Sequence, residues 1–139
     1  GFLKYQDDRP HARAAMERAL NAPSLWDDAI AALGRAGFAL PQELLARDWT
    51  LPHQFSPEVE AGFLAVYRQP DRYWELYQLA EKLVDLDDAM ATWRHKHAVT
   101  VERIIGAKRG TGGTAGVSYL QATIGKRAFP ELWSLRTSL

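Results

Sequence analysis

The residues best equipped for chemistry lie in one run, Trp93-Arg94-His95-Lys96-His97. It is followed by Ile104-Ile105-Gly106 and the loop Lys108-Arg109-Gly110-Thr111-Gly112-Gly113-Thr114-Ala115-Gly116. A neutral imidazole is the commonest protein ligand for a metal. A loop with four glycines in the seven positions 110–116 lets several backbone N–H groups converge on an anion, and Thr111 and Thr114 add hydroxyls. His97 sits on the apolar side of a helical pattern, about two and a half turns before that loop. The pairing suits a metal ligand beside an anion-binding pocket.

Each feature also has a plainer reading. His95 lies about 200° around the helix from His97, so the two cannot chelate one ion; histidine pairs that do so on a helix are four residues apart. On pattern alone, His97 is more often a satisfied core histidine, and Trp93 is core filler. The loop is not a nucleotide P-loop, which needs a lysine and a Ser/Thr directly after its last glycine; here Val117 follows Gly116. Taken alone, it reads as a turn between helices.

The elements that must position these residues are all helical; no strand pattern occurs. Pro10 to Leu20 is rich in helix formers, with proline at the first turn. Ser24 can cap Leu25 to Arg35, with Asp27 and Asp28 at the positive end of the helix dipole and Gly34 and Gly37 at its close. Pro41 to Arg47 gives a short helix, and residues 48–55 an irregular connection. Ser56-Pro57 opens a helix running to about Arg68. After Gln69-Pro70, Asp71 can cap a helix that meets no Pro or Gly before Gly106, about 35 residues or roughly 50 Å. Leu79, Leu83, Leu86, Met90, Trp93, His97, Val101 and Ile104 form a stripe along it. So long a stripe must be covered by other helices or other chains. A short helix is expected near Val117 to Leu120, and a last segment from Phe129-Pro130.

The bulk numbers narrow the class. At 139 residues the chain is one domain long, with 47% hydrophobic and 24% charged residues. Lys+Arg and Asp+Glu balance at 17 each, which does not support a general nucleic-acid or acidic-membrane surface. No apolar run approaches 18 residues, no signal peptide is evident, and there is no cysteine, so a cytoplasmic protein is expected. The chain opens at Gly1 inside what reads as a continuing segment, as a fragment or a processed chain would.

Several motifs stand in a distinctive order: Tyr73-Trp74-Glu75-Leu76-Tyr77, Glu81-Lys82-Leu83-Val84-Asp85-Leu86, Trp93-Arg94 with His97, Ile105-Gly106-Ala107-Lys108, Gly110-Thr111-Gly112-Gly113 and Phe129-Pro130-Glu131-Leu132-Trp133. Their order and spacing resemble the tryptophan 2,3-dioxygenase family, in its C-terminal half and bacterial form. Ala22-Pro23-Ser24-Leu25 and Ala46-Arg47-Asp48-Trp49-Thr50 add to the likeness, which spans residues 1–139.

The resemblance implies an all-α helical bundle with one very long helix. It implies haem b as cofactor, with His97 as the axial ligand of the iron, and Thr111 as a residue that binds the amino-acid part of the substrate. The activity implied is addition of both atoms of O2 across the indole C2–C3 bond of L-tryptophan, giving N-formylkynurenine in tryptophan catabolism by the kynurenine route. The parent protein would be a homotetramer. The family's loop commonly carries two serines where Thr114 and Ala115 stand, so the hydroxyl of the second is lost here.

The resemblance assigns no catalytic residue to this chain. The distal histidine and the carboxylate-binding arginine belong to the family's N-terminal half, whose motifs are absent here. His53-Gln54 mimics the distal pair but follows Pro52 in a connection, not a helix. Arg94, Arg103 and Arg109 could attract a carboxylate, but each is expected on a solvated face. Two alternatives stay open: a haem protein of the same superfamily acting on another aromatic substrate, and a helical interaction or assembly module that has lost the cofactor.

Overall fold

The computed structural model describes residues 9–106 and 116–139. Among them the regular elements are all helical: α1 (Pro10–Leu20), α2 (Leu25–Arg35), α3 (Gln42–Leu45), α4 (Pro57–Arg68), α5 (Trp74–Ile105), α6 (Val117–Ile124) and α7 (Pro130–Ser134), closed by a 3-10 turn (Leu135–Ser138).

Local chemistry accounts for most boundaries. Ser24 and Asp27 form a capping box at α2: the Asp27 N–H donates to Ser24 Oγ, and the Ser24 N–H donates to the Asp27 carboxylate at 2.7 Å. Ser56 Oγ accepts from the Val59 N–H at 3.2 Å, and Pro57 fills the first position of α4. Gly106 ends α5 at φ 59°, ψ −140°, a backbone conformation that a side chain would strain. The long helix starts later than the sequence suggests. Arg72 and Tyr73 both donate their N–H groups to the Gln69 carbonyl, which keeps Asp71 inside a turn, and Tyr73 is the residue at the helix start.

The core lies at the N-terminal third of α5. Trp26, Ile30 and Leu33 of α2, Val59, Phe63 and Val66 of α4, and Ala80 and Leu83 of α5 enclose it together with Phe129, Leu132 and Leu135. Fully burying a side chain of this size contributes about 1.5–3 kcal/mol. Gly62 of α4 faces the Leu33 side chain of α2, where a Cβ would make van der Waals contact at 3.4 Å. Helix α6 packs on α5. By contrast, α1 buries none of its residues.

Candidate functional site

The stripe expected along α5 divides between two faces of that helix. Leu76, Ala80, Leu83, Asp87, Arg94, Ala98 and Val101 are buried or partly buried under the chain's own elements. Leu86, Met90, Trp93 and Ile104 are exposed by 44%, 39%, 57% and 75%. At 100° per residue the second set lies about a quarter turn around the helix from the first. His97 belongs to the exposed set. It is therefore not a core histidine within this chain. Its imidazole lies flat against the Trp93 indole, with ring centroids 5.1 Å apart and planes 4° from parallel. Among the described residues, neither ring nitrogen has a hydrogen-bond partner. His95 is exposed on another side of α5.

Asp87 and Arg94, neither part of the apolar stripe expected from the sequence, tie α5 to the segment 126–129. Asp87 is 1% exposed and accepts from the Ala128 N–H at 3.0 Å, the Phe129 N–H at 3.4 Å and the Trp133 indole N–H at 2.9 Å. No cation neutralises it among the described residues; oriented N–H dipoles satisfy the carboxylate, which makes its burial tolerable. Arg94, expected on a solvated face, is partly buried and donates to the Lys126 carbonyl at 2.6 Å. Both side chains grip the segment 126–129 through its main chain. A sequence signal existed: Asp87 falls four residues after Leu83, in register with the buried face.

A second buried carboxylate, Glu131, joins α2, α4 and the C-terminal segment. It accepts from the Trp26 indole N–H at 3.3 Å and from the Ser56 N–H at 3.0 Å. Beside it His53 stacks on Trp26, centroids 4.6 Å apart. Burial pushes the His53 imidazole below its usual pKa, against the opposing pull of the Glu131 charge. His53 and Trp26 line a cleft of about 340 Å3 together with Leu86, Met90, Arg94 and Phe129. His97 does not line this cleft. Arg47, whose guanidinium lies 5.6 Å from the Trp26 ring centroid, makes a two-point ion pair with Asp27, at 2.6 and 2.8 Å.

Thr111, Thr114 and Arg109 lie outside the described residues, as does most of the glycine loop. Arg103 is exposed on α5, as expected. Among the described residues, no group of three or more His, Asp or Glu could hold a metal ion, and no helix is long and apolar enough to cross a membrane.

Comparison with known proteins places this geometry in context. The family described as tryptophan 2,3-dioxygenase matches residues 54–139, more than half of the chain. Proteins named tryptophan 2,3-dioxygenase from Caulobacter vibrioides and Cupriavidus necator are 63% and 53% identical to it over 138 residues, 99% of this chain. One from Bordetella pertussis is 52% identical over 136 residues, 94% of this chain. The chain spans about half the length of these curated relatives, 52%, 47% and 48% respectively. The chain belongs to the tryptophan 2,3-dioxygenase family.

Proposed function

We propose that this chain supplies the iron-ligating helix and the amino-acid-binding loop of a haem-dependent dioxygenase that converts L-tryptophan and O2 to N-formylkynurenine. The observation that carries the reading is His97 on the exposed apolar face of α5, its ring aligned by Trp93. Haem iron takes a single axial donor from many proteins, so one imidazole suffices and no metal cluster is required. The surrounding Leu86, Met90, Trp93 and Ile104 present the kind of apolar surface that a porphyrin, or the helices covering it, would bury.

Bound haem would supply the O2 chemistry. The contribution of this chain would be to hold and orient: His97 on the long helix would hold the iron, and Thr111 would bind the amino-acid group of the substrate through its hydroxyl and a backbone N–H of the loop. The distal histidine, the arginine that pairs with the substrate carboxylate and the remainder of the indole pocket belong to the other half of the family's length. The complete protein is a cytoplasmic homotetramer in this reading.

Two measurements on the protein prepared at the length of its relatives test it. A Soret band that disappears in His97→Ala establishes the ligand. Mass analysis after incubation with tryptophan and O2 identifies the product. A haem protein that leaves tryptophan unchanged but oxidises another indole makes this a superfamily member of different specificity. A protein without a Soret band makes it a helical interaction module.

A further inference from the structure

Ligand direction on a helix depends on how that helix is rotated, and α5 is gripped at two points on one face. Asp87 and Arg94 are seven residues apart, so at 3.6 residues per turn they fall almost in line along the axis. Both bind the same short segment. Asp87 takes the Ala128 and Phe129 N–H groups, and Arg94 gives an N–H to the Lys126 carbonyl. The Trp133 indole adds a third donor to Asp87. A donor and an acceptor of opposite polarity therefore read the main chain of 126–129 in a fixed register. Turning α5 by one residue, about 100°, would aim both side chains away from it.

Apolar packing does not set the rotation on its own. The buried and exposed faces of α5 are both apolar and lie about a quarter turn apart, so a core of Leu and Ala tolerates more than one setting. A buried carboxylate does not. Rotated out of reach of its three N–H donors, Asp87 would be a buried unpaired charge.

We propose that Asp87 and Arg94 are positioning residues: by clipping the segment 126–129 they fix the rotation of α5, and with it the direction in which the Trp93–His97 pair faces. Arg94 precedes His97 by three residues, about one turn, and Asp87 by ten, about 15 Å along the axis. This role rests on the reading of His97 as axial ligand.

The test uses the haem-loaded protein at the length of its relatives. Its readouts are the ferrous iron–histidine stretching band by resonance Raman and the rate of haem loss to an apo-globin acceptor. Asp87→Asn turns an acceptor of three donors into a group that brings N–H donors of its own. Arg94→Leu removes the second grip at a partly exposed position and leaves an aliphatic side chain there. Each variant is expected to shift or broaden the iron–histidine band and to speed haem loss about tenfold. Arg94→Lys, the variant whose N–H donor reaches furthest toward the Lys126 carbonyl, should restore both. A merely stabilising pair would lower the melting temperature and leave the band in place, and that result overturns the proposal. If Asp87→Asn does not fold, Arg94→Leu with its Lys rescue decides. A wild-type protein without a Soret band overturns the ligand reading and this role with it; an intact Soret band with unmoved axial ligation in both variants overturns this role alone.

Discussion

The Trp93 indole and the His97 imidazole are parallel to within 4°, one helical turn apart on the same exposed face of α5. Spacing of four residues brings side chains into contact on a helix, and the stack narrows the orientations open to the imidazole. Trp93 thereby restrains a side chain that no hydrogen bond holds among the described residues.

From that relationship, His97→Ala is expected to abolish stable haem binding, while His95→Ala leaves it nearly intact. His95 lies about 200° around the helix and faces away from the apolar set. Soret absorbance per protein, after gel filtration, measures both. Equal haem retention in the two variants would remove His97 from the iron.

Thr111→Ala is expected to weaken tryptophan binding by about ten- to a hundredfold, the usual cost of a lost hydrogen bond to a charged group. Thr114→Ala should cost less. Spectral titration of the haem protein with tryptophan gives both affinities. A wild-type affinity in Thr111→Ala would separate the loop from substrate recognition.

How much of this was legible in the sequence differs by kind of signal. Local signals carried through: the Ser24 and Ser56 caps, Pro57 and the glycine after Ile105 mark helix ends by chemistry confined to a few residues. The division of the α5 stripe between residues this chain covers and residues it leaves open was not legible. Periodicity reports that a face is apolar, not which neighbour covers it, and Leu83 is buried while Leu86 three residues later is exposed. Asp87 and Glu131 escaped notice because a carboxylate reads as surface until its donors are known. Those donors come from residues 26, 56, 128, 129 and 133, remote in the chain. The role proposed for His97 rests on resemblance; its spacing alone favoured the core, and the structure leaves it exposed within this chain.

Acid stability should report the Asp27–Arg47 pair. Burial raises the Asp27 pKa, but the hydrogen bonds from Arg47 and Ser24 outweigh it and hold the carboxyl at about 2, against 3.8 ordinarily. A carboxyl depressed in the fold stabilises fully above its unfolded value and loses that contribution as pH falls from about 4 toward 2. The linkage amounts to on the order of 2 kcal/mol. Ser24 keeps its share, so Arg47→Met is expected to cost part of that at pH 7 and much less near pH 2. Urea unfolding at the two values checks it. A penalty independent of pH would mean that Arg47 acts through its packing against Trp26, where its guanidinium lies 5.6 Å from the ring centroid.

The exposed face of α5 makes the last prediction. Leu86, Met90, Trp93 and Ile104 present apolar surface along a helix of 32 residues, and the packing of α2, α4, α6 and α7 on α5 leaves all four side chains exposed. Soluble monomers rarely leave a continuous apolar patch of that extent in water. The isolated 139-residue chain is expected to self-associate, with little or no dioxygenase turnover of its own. Met90→Lys together with Trp93→Glu, which add charges to the patch without touching the core, should shift it toward the monomer. These residues lie outside the Asp87 and Glu131 networks, so circular dichroism should stay unchanged. Light scattering at several concentrations decides the matter. A wild-type monomer of 15.6 kDa that oxidises tryptophan fully would show that the face needs no cover and that the site is complete within this chain.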